Sequence, residues 1–485
     1  MRLKSQAFLV TASVFVLAAT AARADVTIST DATANMSCSA GVCQPTAADA
    51  VLNAGDLQNL LASGNVTVTT TGSGVQATNI DVSGKLRWSA DTLTLDAYQS
   101  LNVTAPVMIN GKSGLSILTN DGGTGGELAF LGKGHVTFKK LSGKLTINAT
   151  AYTLVNSIAS LAEAIKKSQS GNYALAADYD AEKDGSYNSA PISTSFTGSF
   201  EGLGNVISNL IIESYGRTNS NFTGLFALVD SGGSVSDIGL ADISVMIKKS
   251  HGGLEVGALA GLNNGTISRS FATGALMAPK KGSFFGGLVG NNNIGTISRC
   301  YANVSVKFGS GSNSRGGGLL GENGGTVSES YATGNVDGGL LSSSGGLVGI
   351  QIGNVSNSYA TGDVTSEDGS SGGLIGENGD GIDNGYVSGS YSTGVPQGSD
   401  EATGGLIGAD NAQAGSLANT YWDTKTSHID NLSQGAGAPA SDPGITGLTT
   451  KQLKSGLPSG FDPSVWGENP EINNGLPYLL TNPPK

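Results

Sequence analysis

Three histidines are the residues of this chain best suited to metal binding or general acid–base catalysis. They are His135, His251 and His428, and they lie far apart without the spacing of a zinc-peptidase motif. Serine is abundant, but no Gly-x-Ser-x-Gly nucleophile elbow with suitable partners stands out. We therefore expect surface histidines, no catalytic residues, and no metal or cofactor site.

The acidic run 178–185 could offer oxygen ligands to calcium. Asp178, Asp180, Glu182 and Asp184 stand at alternate positions, and calcium prefers hard oxygen ligands on a turning loop. The run is not an EF-hand, because its glycine comes two places late and no glutamate closes the loop. A solvated acidic loop is the favoured interpretation.

A repeated phrase indicates the secondary structure that would position such residues. The phrase is Gly-Gly-Leu followed by an aliphatic residue and Gly. Its five copies are 286–290, 317–321, 345–349, 372–376 and 404–408, after a weaker copy at 256–261. Each copy is followed by an aromatic residue, and from Phe271 on these aromatics are 30, 30, 28, 32 and 30 residues apart. A near-constant period predicts stacked units, none of which can bury its apolar face alone. We expect the leucine of each full copy to point into the core, so that Leu288, Leu319, Leu347, Leu374 and Leu406 stack as a ladder.

Each repeat has the pattern of short strands. Thr326-Val327-Ser328 stands after two glycines, and the chain has 74 glycines but 13 prolines. Short β-branched runs bounded by turn residues predict strands. Strands stacked at roughly 4.8 Å form a coil. The predicted fold class is all-β, a parallel β-helix (β-solenoid), with one short helix between two solenoid segments and a small C-terminal cap.

The repeat phrase resembles the GLUG motif, the glycine–leucine–glycine repeat of bacterial surface and secreted proteins. The tails Tyr-Ala-Thr-Gly-Asn-Val at 331–336 and Tyr-Ala-Thr-Gly-Asp-Val at 359–364 fit the same motif. The resemblance covers about residues 223–435. It implies an extracellular β-solenoid and no reaction.

The stretch 25–150 has alternating strands such as Leu93-Thr94-Leu95, separated by Gly, Asn and Asp. Phrases at 93–97 and 101–106 resemble the β-helical part of filamentous-haemagglutinin-type exoproteins. That family's long secretion domain with its asparagine–proline motif is not found. An outer-membrane export partner is therefore left open.

Residues 151–222 are expected to form a junction between the two solenoid types. A helix is predicted over 156–170, with Ser160 and Glu163 as a capping box. The phrase 200–210 resembles the segment that leads into GLUG arrays. Residues 436–485 are predicted to be a linker and a cap, whose apolar cluster around Trp466 covers the last turn of the coil.

Residues 1–24 resemble a secretory signal peptide, with basic residues, a short apolar stretch and Ala22-Arg23-Ala24 before Asp25. No later segment has the roughly 18 apolar residues of a membrane helix. The net charge of −12 argues against nucleic acid as a partner. We expect an extracellular or cell-surface location.

Export permits disulfides. Cys38 and Cys43 flank a plausible turn at Ala40-Gly41, so we expect them to be bridged. Cys300 stands where other repeats carry serine, as at Ser330, and is expected to be a small packing residue.

The repeat aromatics are expected to form one vertical row. Its tyrosines are Tyr301, Tyr331, Tyr359, Tyr391 and Tyr421. Since strict alternation from Ile297 would bury Arg299, a corner is predicted between Ile297 and Tyr301. Rings inside the coil are only core, whereas exposed rings are a candidate binding face. The core is favoured because large rings are usually buried.

Adhesion or matrix interaction, with a glycan or surface protein as the unknown partner, is the function these features favour. One alternative is a carbohydrate-active β-helix enzyme, which needs converging catalytic groups. The variable positions Arg269, Arg299, Glu329 and Asn357 keep no common charge, which favours a solvated surface over an active site. The other alternative is a passive spacer.

Overall fold

The computed structural model describes residues 25–214, 221–249, 253–278, 283–310, 314–438 and 442–484. The predicted signal peptide lies outside them, as does His251. The chain folds into a parallel β-solenoid of about 12 turns, which confirms the predicted fold class. Each turn of the coil is called a rung below.

The N-terminal rungs have three rows of parallel strands that close around aliphatic side chains. One row is Val26–Ser29, Ala50–Asn53, Ile80–Val82, Leu101–Val103 and Leu128–Phe130. The second is Leu86–Trp88, Pro106–Ile109 and His135–Phe138. The third is Val42–Pro45, Val66–Thr69, Thr92–Asp96, Gly114–Leu118 and Lys144–Ile147. Strands Met36–Ser39 and Thr71–Gly72 with Val75–Gln76 form side hairpins.

Two helices interrupt the strands, and the second lies where the sequence predicts one. Helix Ala54–Leu61 is capped by the Asn53 side chain, which accepts from the backbone N–H of Gly55 and Asp56. Helix Ile158–Lys167 begins after Ser157. Its capping box is formed by Ser157 and Ser160, not by Ser160 and Glu163 as predicted, because the helix starts one turn earlier.

The junction strands join the two halves of the coil. They are Thr150–Val155, Asn172–Leu175, Tyr179–Asp180, Ser186–Tyr187, Ser199–Glu201, Val206–Ser208 and Ile211–Ser214, with a 3₁₀ turn at Ala181–Asp184. The buried side chains form one cluster from Val26 to Leu203 and another from Val155 to Ala436.

The repeat rungs also have three sides. The first row is Phe222–Thr223, Leu254–Val256, Ser283–Gly286, Arg315–Gly317, Ser343–Gly345, Ser370–Gly372 and Thr403–Gly404. The second is Phe226–Val229, Ala260–Asn263, Val289–Asn292, Leu320–Asn323, Val348–Gln351, Ile375–Asn378, Ile407–Asp410 and Ala436–Ala438.

The third side bends at a corner in each rung. Its strands are Ser234–Ser236, Gly239–Ile247, Thr266–Ser268, Phe271–Ala278, Thr296–Ser298, Tyr301–Phe308, Thr326–Ser328, Tyr331–Ala332, Val336–Gly338, Asn354–Ser356, Tyr359–Ala360, Val364–Ser366, Tyr386–Ser392, Pro396–Gln397, Leu417–Asp423 and Ile445–Leu448.

The repeated glycines allow the first two rows to touch backbone to backbone. A Cβ added at Gly345 would lie 2.0 Å from the carbonyl oxygen of Val348 and 2.5 Å from the nitrogen of Gly376. A Cβ at Gly349 would lie 2.6 Å from the nitrogen of Gly316. A larger residue at these positions would therefore force the rows apart.

The interior of the repeats is a set of registered ladders. Leu288, Leu319, Leu347, Leu374 and Leu406 are all fully buried, as the leucine-ladder prediction requires. Beside them runs a ladder of buried amides, in which each Nδ2 donates to the next side-chain oxygen. It joins Asn263 to Asn292 (2.7 Å), Asn292 to Asn323 (2.7 Å) and Asn323 to Gln351 (2.8 Å). The pairing satisfies polar groups whose burial would otherwise be costly.

After the last rung the chain forms a compact C-terminal segment, residues 449–484. It contains helix Thr450–Leu453, strands Trp466–Gly467 and Tyr478–Leu479 in an antiparallel pair, and a 3₁₀ turn at Asn473–Gly475. Among the described residues, no helix is long and apolar enough to cross a membrane.

Candidate functional site

A left-handed corner sets the direction of the repeat aromatics. Asp237, Arg269, Arg299, Glu329, Asn357 and Asn419 have φ between 46° and 55°. The predicted corner between Ile297 and Tyr301 therefore falls at Arg299. Beyond it, the next residue of each rung points into the coil and the aromatic points out. Cys300 and Ser330, for example, are fully buried.

The aromatic row consists of Phe271, Tyr301, Tyr331, Tyr359, Tyr391 and Tyr421, which pair in register from rung to rung. From Phe271 to Tyr391 the successive ring centroids are 4.8–5.1 Å apart and the planes agree within 6°. The five tyrosines are at most 7% exposed. They belong to a cluster separate from the coil interior.

This arrangement differs from both predicted orientations. The rings are buried, as the favoured interpretation expects, but they lie outside the coil. They are not an open face either, because Leu453, Phe461, Trp466, Leu476 and Leu479 of the C-terminal segment pack on them. The row presents a long apolar stripe, and the C-terminal segment removes that apolar surface from water.

The C-terminal segment runs back along the row from the last rung. Phe461 meets the ring of Tyr421 edge-on at 5.6 Å, and Trp466 lies 5.8 Å from Tyr391 and 6.1 Å from Tyr359. The prediction that this cluster covers the last turn of the coil is therefore wrong in its placement. It covers one flank of the coil.

Hydrogen bonds fix the register of the segment on the row. The hydroxyl of Tyr421 donates to the carbonyl of Ser459 (2.6 Å), and that of Tyr391 donates to the carbonyl of Pro477 (2.7 Å). Asn482 Nδ2 donates to the carbonyl of Cys300 (3.2 Å). The contacts follow the chain in reverse rung order, so the segment forms a strap.

A charge network lies at the far end of this strap. Arg269 donates to both carboxylate oxygens of Asp237 (2.8 Å each) and to Glu127 (2.9 Å). Arg299 contacts the same Glu127 and also Glu329 (3.2 Å). Thr481 of the strap then donates to Glu329 (2.6 Å).

The network corrects the interpretation of the variable corner residues. Arg269, Arg299, Glu329 and Asn357 were predicted to be a solvated, drifting surface. They are instead partly buried, and the charged ones pair between rungs, Arg269 with Asp237 and Arg299 with Glu329. Asn357 accepts from the indole N–H of Trp466 (3.3 Å). The N-terminal rungs, the repeats and the strap meet here.

A pocket of about 130 Å³ opens beside the network. Its walls come from the loop 130–132, from Arg269 and Arg299, from the first two rings of the aromatic row, and from residues 480–483 of the strap. Residues from three distant parts of the chain thus form one concave site.

A second polar cluster lies on the first two strand rows. Asn291 hydrogen-bonds to both Glu255 and Glu322. Burial, with the charge of Glu322 nearby, raises the pKa of Glu255 to about 7. These are two carboxyls that share one amide.

The cysteines and the acidic run singled out in the sequence are held in contacts within the fold. Cys38 and Cys43 lie opposite each other in a hairpin and are joined by a disulfide, with their Cα atoms 4.0 Å apart. Cys300 is buried, and burial raises the pKa of its thiol to about 12. In the acidic run, Asp184 accepts from the hydroxyls of Tyr179 (2.5 Å) and Tyr187 (2.7 Å).

The histidines and possible metal ligands do not converge within the described residues. His135 contacts the carbonyl of Lys133 (3.0 Å), and His428 is exposed. No group of three or more His, Cys, Asp or Glu side chains suited to a metal ion occurs in the part of the chain that the structure describes.

Comparison with known proteins supports the repeat. Residues 341–365 match the family model described as the GLUG motif. This span contains the phrase at 345–349 and Tyr359, so the GLUG resemblance of the repeats is supported. The resemblance of the N-terminal part to filamentous-haemagglutinin-type exoproteins stays a prediction.

Two further proteins are similar over parts of the chain. Halomucin of Haloquadratum walsbyi is 34% identical over 134 residues, which are 25% of this chain and 1% of halomucin. The chain thus spans about 1% of the length of that curated relative. A solved structure from Bacteroides ovatus, described provisionally as an immunoglobulin A1 protease, is 16% identical with a TM-score of 0.38. The likeness covers 68% of this chain and 93% of the other.

Proposed function

We propose that the chain is a secreted or surface-displayed β-solenoid that mediates adhesion or another extracellular surface interaction. One observation carries the proposal: an outward-facing row of polar side chains that stays in register over five rungs. The row is Thr266, Thr296, Thr326, Asn354 and Tyr386. Contacts that are weak singly add along such a row.

The GLUG match and the similarity to part of halomucin support a surface location. The signal-like sequence at 1–24 supports the same location, because such a sequence directs export. We further propose the units 25–150, 151–222, 223–435 and 436–485. The exoprotein-like character of the first unit belongs to this proposal.

The test is binding of purified 25–485 to glycan arrays and immobilised matrix proteins. A face variant carries Thr266→Lys, Thr296→Lys and Asn354→Lys. A control variant carries three lysines at exposed N-terminal positions, Ser73, Thr124 and Ser142. We expect the face variant alone to lose at least about tenfold in apparent affinity, since several repeated contacts are removed together.

Binding that is absent in the unmodified protein would favour a passive spacer. Equal loss in both lysine variants would show a general charge effect and contradict the proposed face.

A carbohydrate-active enzyme is the second candidate, because Glu255 and Glu322 share Asn291 and the pKa of Glu255 is raised. A carboxyl that keeps its proton near neutral pH can act as a general acid. Incubation with polysaccharides would reveal new reducing ends if this function holds. Glu255→Gln would then abolish their release. No release from any polysaccharide would remove the candidate.

A further inference from the structure

We propose that the pocket at the start of the aromatic row binds one neutral sugar ring, such as the terminal residue of a glycan. The inference rests on the proposed adhesive function and adds a specific site to it.

The volume sets the size of the ligand. An apolar cavity of about 150 Å³ can hold a benzene molecule, so a pocket of about 130 Å³ has room for roughly one six-membered ring. Larger glycans would have to place their terminal residue here and leave the rest in solvent. The strap residues 480–483 form one wall, so the site exists only when the C-terminal segment is in place.

The apolar wall sets the shape of the ligand. Phe271 and Tyr301 present two parallel rings 4.8 Å apart, and Phe271 is only partly buried. Phe130 and Leu131 add apolar surface from the N-terminal rungs. A pyranose ring has C–H groups that pack on such a wall and hydroxyls at its edge. Pockets of this kind combine apolar walls with a few polar groups that orient the ligand.

The charge balance excludes an anion as the preferred ligand. Two guanidinium groups, Arg269 and Arg299, face three carboxylates, Asp237, Glu127 and Glu329. Both cations are already paired, so an added anion would meet a net negative surrounding. The paired guanidinium groups can still donate hydrogen bonds to sugar hydroxyls, and the paired carboxylates can still accept them. Arg299 Nη2 makes no hydrogen bond within the described part of the chain and can donate to a ligand.

The test uses purified 25–485 and small probes in NMR titration or calorimetry. The neutral probes are the methyl glycosides of glucose, galactose and mannose. Methyl glucuronide is the anionic probe and glucosamine is the cationic one. We expect at least one neutral glycoside to bind with a dissociation constant on the order of 1 mM, as suits a ligand of this size. The glucuronide should bind more weakly.

Two tryptophan variants locate the site. Leu131→Trp fills the pocket from a partly exposed position, and Leu141→Trp places the same ring on an exposed leucine outside the lining. We expect Leu131→Trp to weaken glycoside binding at least about tenfold and Leu141→Trp to leave it unchanged. Equal melting temperatures show that both variants are folded.

The inference fails if no neutral glycoside binds at a concentration 50-fold above the expected dissociation constant (roughly 50 mM). It also fails if the glucuronide binds more tightly than every neutral glycoside, or if Leu131→Trp leaves glycoside binding unchanged. The lysine face variant separates this site from the adhesive face. It should keep glycoside binding while losing matrix binding, so either proposal can fail alone.

Discussion

The N-terminal rungs and the repeat rungs build the same coil by different means. In the N-terminal rungs, alternating aliphatic residues such as Leu93 and Leu95 close a core against strands of varied spacing. In the repeats, glycines let backbones touch and identical side chains stack into ladders of leucine, amide and tyrosine. With a fixed period, a polar or aromatic side chain can pair with the equivalent side chain of the next rung.

The two halves also differ outside the coil. The repeat half carries an apolar ring on one flank of successive rungs, and the strap covers this stripe. A repeat solenoid with such a stripe needs a partner for it, and here the chain supplies that partner itself.

Disrupting the backbone contact at a repeat glycine should have the largest effect on stability. Gly345→Ala should destabilise the protein by more than about 4 kcal/mol, because its Cβ would lie 2.0 Å from a backbone oxygen that cannot move alone. Gly64→Ala in the N-terminal half is the control, since no atom of the described residues lies within 4 Å of its Cβ. Denaturant unfolding measures both. Equal effects would contradict the role of the repeat glycines.

Truncating one leucine of the ladder should destabilise the protein slightly less than Gly345→Ala. Leu347→Ala is expected to lower the free energy of unfolding by about 2–5 kcal/mol through lost burial and the cavity that remains. Leu95→Ala in the N-terminal half should cost a similar amount, because it is equally buried. A negligible effect of Leu347→Ala in chemical denaturation would refute the inward direction of the ladder.

Removing single tyrosine hydroxyls should show how much the hydrogen bonds to the strap stabilise the fold beyond burial of the rings. Tyr391→Phe removes a hydrogen bond to Pro477 and should cost about 1 kcal/mol. Tyr359→Phe is the matched variant. Its buried hydroxyl has no hydrogen-bond partner among the described residues, so removing it should be neutral or stabilising. Thermal unfolding would compare them, and the opposite ranking would contradict the observed register of the strap.

The smallest expected effect is a pH dependence. The ordinary pKa of a glutamate is 4.5, and burial raises that of Glu255 to about 7. Its contribution to stability is therefore fully present below pH 4.5 and is lost as the pH rises through 7. Glu255→Gln should reduce the fall in melting temperature between pH 5 and pH 7.5, whereas Glu163→Gln, at an exposed site, should not. An unchanged fall in Glu255→Gln would contradict the raised pKa.

Local pattern was enough to predict much of the coil. The five phrases predicted the solenoid and the leucine ladder, and the cost of burying Arg299 predicted the corner. These features depend on residues within one period of each other, which is the range over which spacing and side-chain type are informative.

The flank of the coil could not be predicted in the same way. Arg269 and Arg299 meet Glu127 across 142 and 172 residues of sequence, and Asn482 reaches Cys300 across 182. The strap has no period that could set its register on the row. The orientation of the tyrosines depended on that missing partner, since an outward ring is buried only if something covers it.

Tyrosine surface labelling of the full chain and of a chain ending at residue 448 tests the covered row most directly. We expect Tyr386, which is 51% exposed, to be modified in both proteins. Tyr331, Tyr359 and Tyr391 should be protected in the full chain and become modified once the strap is removed. Modification of these three in the full chain, or their continued protection in the shortened but folded chain, would show that the strap does not cover the row.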